Sequence, residues 1–227
     1  MCGRFTLHTP KKHLLAYFEI LDASCAVFER YNIAPTQNVL VVEDNGAHRL
    51  VEMRWGLIPS WAKDRAIGNR MINAREETVA EKPAFRVPFR RQRCLVPADG
   101  FYEWRPGEGG RGKTPMHIRA MDGAPFAFAG LWDRWVDKGT GEETRSFTII
   151  TTAADGFMRP IHDRMPVLLA RDAWARWLDS AYQDRDGLLD LLGRRDGRML
   201  EAFEVSRAVN SPRHDAADCI TPAQPNL

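Results

Sequence analysis

The stretch Cys94-Leu95-Val96-Pro97-Ala98-Asp99-Gly100-Phe101-Tyr102-Glu103-Trp104 holds two strand-like runs, Cys94–Pro97 and Phe101–Trp104, with no helix between them. Further runs of the same kind follow at Met116–Arg119, Phe126–Trp132 and Phe147–Thr151. Upstream, Val39–Glu43 and Arg49–Trp55 flank a turn at Asn45-Gly46 and read as a hairpin. Strand does not alternate regularly with helix, so the pattern argues for an α+β domain on mostly antiparallel strands and against a doubly wound fold. Helices are expected where apolar residues recur at helical spacing. One begins at Thr9-Pro10 and carries Leu14, Leu15, Phe18 and Leu21, with Thr9 as cap and Pro10 in first position. Others are Glu76–Glu81, a segment starting at Pro83, and Asp172–Ser180 continuing through Arg185–Leu192. Leu168 and Leu169 end a strand in this reading, and Ala202–Ser206 forms the last one. Glycine-rich Pro106–Lys113 and Asp137–Glu143 are loops, residues 1–220 form one domain, and Thr221–Leu227 is a loose tail.

Composition bounds the function. The 227 residues include 44% apolar side chains, which can furnish a packed core, and no apolar run approaches the roughly 18 residues of a membrane span. No signal peptide is evident after Met1, and a cytoplasmic protein, nucleoid-associated when on DNA, is expected. The four cysteines, at 2, 25, 94 and 219, form no CxxC pair and no His–Cys cluster, which argues against structural zinc and a disulfide framework. Cys25, Cys94 and Cys219 read as small core hydrophobes. Net charge is only +2, but ten Lys/Arg against four Asp/Glu lie between Met53 and Ala98. There the run Phe85-Arg86-Val87-Pro88-Phe89-Arg90-Arg91-Gln92-Arg93 interleaves cations with aromatics. Such a run can neutralise phosphates and stack on bases, or be a solvated surface.

Cys2 stands where its position matters. Excision of an initiator methionine before a small residue leaves an N-terminal cysteine, an amine and a thiol on adjacent carbons. Reference pKa values of about 7.7–8.0 and about 8.5 leave part of the amine nucleophilic at neutral pH. Either the thiol attacks an amide carbonyl with the amine as base, or the amine condenses with an aldehyde and the thiol closes a thiazolidine. Four further segments concentrate polar chemistry. Asn73-Ala74-Arg75-Glu76-Glu77-Thr78 puts an amide, a guanidinium and carboxylates near a helix start. Alternation turns Glu103 away from Tyr102 and Trp104. Ile161-His162-Asp163-Arg164-Met165-Pro166 presents three polar groups in an apolar approach, and aromatic-proline loops occupy Tyr31–Thr36 and Trp55–Trp61.

Taken in order, these motifs resemble the SRAP (SOS response-associated peptidase) family. They are Met-Cys-Gly-Arg-Phe at 1–5, Tyr-Asn-Ile-Ala-Pro at 31–35, Trp-Gly-Leu-Ile-Pro-Ser-Trp at 55–61 and Ile-Asn-Ala-Arg-Glu-Glu-Thr at 72–78. Ala-Asp-Gly-Phe-Tyr-Glu-Trp at 98–104, Ile-His-Asp-Arg-Met-Pro at 161–166 and Val-Ser-Arg-Ala-Val-Asn at 205–210 complete the set. The resemblance implies a bifurcated β-sheet with barrel character and surrounding helices. It implies covalent shielding of abasic sites in single-stranded DNA, with Cys2, Asn73, Glu103 and His162 as the functional four and no cofactor or metal. Arg4, Arg75 and Arg164 lie inside the matching motifs as candidate phosphate contacts, and Pro35, Trp61 and Trp104 as candidate stacking residues. The expected partner is abasic single-stranded DNA, bound by a monomer. Two other classes stay open on the residues alone: an N-terminal-nucleophile amidohydrolase, and a non-covalent single-stranded-DNA binding module.

Overall fold

A computed structural model describes residues 2–23, 25–44, 46–107, 109 and 112–223. Its strands form two sheets. The larger contains β3 (Asn38–Asp44), β4 (His48–Trp55), β5 (Asn73–Arg75), β6 (Arg93–Ala98), β9 (Phe126–Val136), β10 (Glu143–Ala153) and β11 (Arg164–Pro166). Its path β11-β10-β4-β3-β6-β9 returns on itself because β9 also pairs with β10, which closes a barrel. The smaller sheet runs β12-β8-β7-β1-β2, from β12 (Leu200–Glu204) through β8 (Lys113–Ala120), β7 (Gly100–Pro106) and β1 (Phe5–Leu7) to β2 (Arg30–Ile33). Antiparallel pairing dominates, as the sequence pattern requires. The exceptions are the parallel pairs of β10 with β4 and with β5.

Strand β10 makes the sheet fork. One edge pairs in turn with β4, at Ser146 and Phe147, and with β5, at Ile149–Thr151; the other pairs with β9 and then β11. β5 and β11 thereby lie at the end of the barrel, where residues 73 and 162–164 enter. The two sheets meet through Phe5, whose ring packs edge-on against Trp55 at 5.1 Å and Phe128 at 5.8 Å. Aromatic pairs of this geometry add about 0.5–1.5 kcal/mol each beyond the area they bury.

Several expectations are corrected. Helix α1 (Lys11–Tyr17) starts after Pro10 without a side-chain cap, because the Thr9 hydroxyl donates to Asp99 instead. It stops before Leu21, which is 82% exposed, since Glu19 turns the chain with a positive φ of 53°. Residues 73–75 form strand β5, followed by only a 3-10 turn at Glu76–Thr78. Leu168 and Leu169 are held by isolated bridges to Phe128 and Arg195 and not within a strand. In the basic run, helix α2 (Arg86–Arg91) buries Phe85 and Phe89, so neither ring is available to a base. Arg93 is also buried. It donates to the carbonyls of Phe89, Trp177, Asp179 and Tyr182, and burial lowers its pKa to about 10. Trp174, Trp177 and Leu178 of α3 (Trp174–Leu178) are buried, and α4 (Arg185–Gly193) is a separate helix capped by Asp184. Of the segment from Thr221, Pro222 bridges Val205 and the Ala223 amide donates to Glu204 O; residues 224–227 lie outside the described set, as does Asn45 of the hairpin turn. No described helix is long and apolar enough to cross a membrane.

Candidate functional site

Cys2 lies just before β1 and is fully buried. Its carbonyl accepts a hydrogen bond from Asn73 Nδ2 at 2.9 Å, across the junction between the two sheets. Asn73 can be so exact because it opens β5, whose parallel register against Ile149–Thr151 is fixed. Its Oδ1 is buried without a partner among the described residues, an acceptor available at this point. Glu103, on β7, is 3% exposed and points to the opposite face from Tyr102, which packs with Val205, Val209 and Cys219. The alternation read from the sequence therefore separates a site face from a core face.

Burial pushes the Glu103 carboxyl up, while His162 draws it partly down and Asp163 adds to the rise. The Cys2 thiol is raised well above its ordinary value by burial and by the Glu103 charge. It is held as a neutral thiol. His162 Nε2 lies 3.9 Å from Glu103 Oε2. On the other side of the ring, Nδ1 is 2.9 Å from the Arg164 amide and 2.8 Å from Asp163 Oδ1. One nitrogen cannot both accept from an amide and donate to a carboxylate. Asp163 is 86% exposed and has water as an alternative, so the amide bond is the costlier one to lose. That bond puts the neutral ring's proton on Nε2, facing Glu103. The site thus offers a thiol, a carboxyl with raised affinity for a proton, an imidazole N–H and an unpaired amide oxygen.

The residues expected to touch phosphates do not behave alike. Arg4 is committed to the protein: Nη1 donates to Asn32 Oδ1 at 2.8 Å and Val209 O at 2.6 Å, and Nη2 to Asn210 O at 3.2 Å. Arg164 is engaged by both Glu77 oxygens and by Thr151 O at 2.7 Å. Arg75 is exposed and makes no hydrogen bond or ion pair among the described residues. Trp61 is 58% exposed. Trp104 is half-buried; its indole donates to Asn210 Oδ1 at 2.7 Å, with the Arg4 guanidinium 6.0 Å over the ring. Pro35 is half-buried beside Thr36, a non-glycine residue at a φ of 74°.

Sequence reasoning passed over Asn32 and Asn210 as individual residues. Asn32 is fully buried, accepts from Arg4, and donates to the carbonyls of Val209, Ser211 and His214. Both lie in the quoted motifs; an amide inside the otherwise apolar Tyr31–Pro35 loop is the signal that could have found Asn32, while Asn210 is exposed and gives none. The expected absence of a His–Cys cluster needs correction. The fold brings the ligand atoms of His214, Asp218 and Cys219 within 4.8 Å of one another. These groups satisfy each other, with His214 Nε2 at 2.8 Å from Asp218 and Cys219 Sγ donating to His214 O at 3.5 Å.

A forked, barrel-closing sheet with a cysteine at position 2, an amide, a carboxylate and an imidazole drawn to one junction defines a class. The chain belongs to the SRAP (SOS response associated peptidase) family, whose model matches residues 1–212. It is 46% identical over 224 residues to the abasic site processing protein YoaM of Bacillus subtilis, covering 97% of both chains. It is 30% identical to the abasic site processing protein YedK of Escherichia coli, over 98% of this chain and all of that one. With the mouse abasic site processing protein HMCES identity is 29%, over 98% of this chain and 76% of the relative. Among solved structures, one from Bacteroides thetaiotaomicron superposes with a TM-score of 0.86 at 26% identity, covering 98% of this chain and 100% of that one.

Proposed function

We propose that this protein senses abasic sites in single-stranded DNA and shields them by a covalent bond through Cys2. The observation that carries this reading is the meeting of Cys2, Asn73, Glu103 and His162, each from a different segment, at one sheet junction. The relatives' description as abasic site processing proteins supports it.

Hydrolysis of the Met1–Cys2 amide, which consumes one water, releases methionine and a free aminothiol; this self-processing is the peptidase step of the proposal. An abasic sugar interconverts between a closed ring and an open aldehyde. His162, with its proton on Nε2, donates to the ring oxygen as it opens. The Cys2 amine adds to the aldehyde carbon to give a carbinolamine, and Glu103 transfers the protons that let hydroxide leave as water. The thiol then adds to the imine carbon, its proton passing to the nitrogen, and a thiazolidine closes. Aldehyde plus aminothiol becomes ring plus one water, with no oxidant and no cofactor in the balance. A raised thiol pKa suits this order of events, since the amine must act first and the thiol second. Asn73, which does not titrate, holds the Cys2 carbonyl and offers its amide oxygen to the amine or the sugar.

The test is incubation with a single strand bearing one abasic site, followed by a denaturing gel. A heat-stable adduct with the abasic strand and none with the intact strand is expected. Cys2→Ala should leave at most an imine that needs reduction to survive. A stable, unreduced adduct from Cys2→Ala would overturn the assignment.

A further inference from the structure

Strand β1 leads into Cys2 and is only three residues long. Its register against β7 is set by two pairs, Phe5 opposite Phe101 and Thr6 opposite Gly100. Against β2 the register is interrupted between Phe5 and Leu7. The same register continues outward, where the Tyr102 amide donates to Arg4 O at 3.0 Å, so Gly3 comes opposite Glu103 with Cys2 beside it. A slip of one residue would move Cys2 by about 3.3 Å along β7. Nucleophile and carboxylate would then no longer meet. A two-pair strand has little of its own to prevent that.

Asp99 supplies what the strand lacks. Its side chain is 4% exposed, and one oxygen accepts the Thr9 amide at 2.8 Å together with the His8 amide. The other oxygen accepts the Thr9 hydroxyl, and the Asp99 amide itself donates to Thr6 O at 2.9 Å. No lysine or arginine pairs with this carboxylate among the described residues; the nearest basic atom is His8 Nδ1 at 3.7 Å. The strand behind it has no slack. A Cβ on Gly100 would lie 2.3 Å from His117 Nε2. Asp99 and Glu103 thus stand on one short, tightly backed segment, and the first grips the chain whose far end the second must face.

We propose that Asp99 is a positioning residue for the nucleophile: its carboxylate locks the register of residues 3–9 against β7 and so sets Cys2 beside Glu103. A carboxylate is suited to this because it is acceptor-only and can take three donors at once. An asparagine of the same shape has one acceptor oxygen: with that oxygen on the two amides its NH2 faces the Thr9 hydroxyl, which must then accept instead of donate, and all three bonds lose the carboxylate's charge. The proposal rests on the covalent reading above for its consequence, but the clamp itself can be read without it.

The experiment compares wild type, Asp99→Asn, Thr9→Val and Thr9→Ser by amide hydrogen exchange on residues 3–9 and on 147–151. It is paired with non-covalent affinity for single-stranded DNA and the rate of adduct formation on an abasic strand. Asp99→Asn should lose about tenfold or more of the protection in 3–9 while 147–151 stays unchanged. Its adduct rate should fall about tenfold with affinity within about twofold. Thr9→Val should show a smaller loss of both, and Thr9→Ser, which keeps the hydroxyl, should behave as wild type. Unchanged protection and rate in Asp99→Asn would overturn the clamp. So would an equal loss of protection in both segments, which would make Asp99 an ordinary stability residue. Should Asp99→Asn fail to fold, the Thr9→Val and Thr9→Ser pair decides by the same readouts. Absence of any adduct from wild type would instead sink the covalent reading, and the exchange data would still judge the clamp.

Discussion

Acid should loosen this protein through one buried histidine. His117 on β8 is 1% exposed, lies between the rings of Tyr102 and Phe203 at 5.0 and 5.4 Å, and has no hydrogen-bond partner on either ring nitrogen among the described residues. Burial, with smaller contributions from Arg119 and His8, lowers its pKa to about 3, against about 6.5 for a free imidazole. The folded state therefore binds this proton less readily than the unfolded chain. The stability this group contributes is complete above about pH 6.5, falls as pH drops below that value, and is fully lost below about pH 3. Between pH 8 and pH 5 the loss from this one group is about 2 kcal/mol, and over the whole window roughly 3–5 kcal/mol. His117→Leu removes the titration at a packing cost that does not vary with pH. Urea unfolding of both proteins from pH 8 to pH 5 isolates the difference, because the other ionisable groups are shared. The two stability curves should converge by about 2 kcal/mol on acidification. Parallel curves would refute the reasoning. The effect bears on the candidate site because Tyr102, packed against His117, adjoins Glu103 on the same strand.

Glu103→Gln and His162→Ala should slow adduct formation by about 10²–10⁴-fold while changing DNA affinity little, as expected of proton-transfer groups; equal losses of rate and binding in stopped-flow and anisotropy measurements would make them contacts instead. Each phosphate contact on a single strand contributes about −0.7 to the slope of log affinity against log salt, so Arg75→Ala should flatten that slope by about one contact. Arg164→Ala should flatten it less, because Glu77 and Thr151 already hold that guanidinium; the reverse ranking in a salt titration would move the phosphate track.

The long strands were legible because alternation and β-branched runs survive in single sequences, as at Phe126–Trp132 and Phe147–Thr151. The four candidate residues Cys2, Asn73, Glu103 and His162 were legible through motifs that the fold brings to one place. Short elements were not. β1, β2 and β5 have three or four residues each, too few for a period to show; β1 and β5 exist because the longer β7 and β10 pair with them, and β2 adds at the edge of β1. Arg93 misled because a cation in a basic run reads as surface, whereas here it satisfies the nearby Phe89 carbonyl and three more, of Trp177, Asp179 and Tyr182, that lie far away in sequence. Thr9 misled in a related way. Its hydroxyl had a local use as a cap, and a carboxylate ninety residues on competed for it. Which partner such a group takes is a tertiary fact.

The central claim is that the free amine of Cys2 forms the bond. With Met1 or a tag retained, that nitrogen is an amide whose lone pair is delocalised into the peptide bond, and the thiol alone gives only a reversible hemithioacetal. The direct measurement is intact mass of the product formed on an abasic single strand by protein whose N-terminus is Cys2, beside protein with a blocked N-terminus. The account requires an unreduced adduct lighter than protein plus DNA by one water from the first protein, and no stable adduct from the second. Full crosslinking by a protein whose mass still includes Met1 or a tag would contradict it and assign the bond to a side chain.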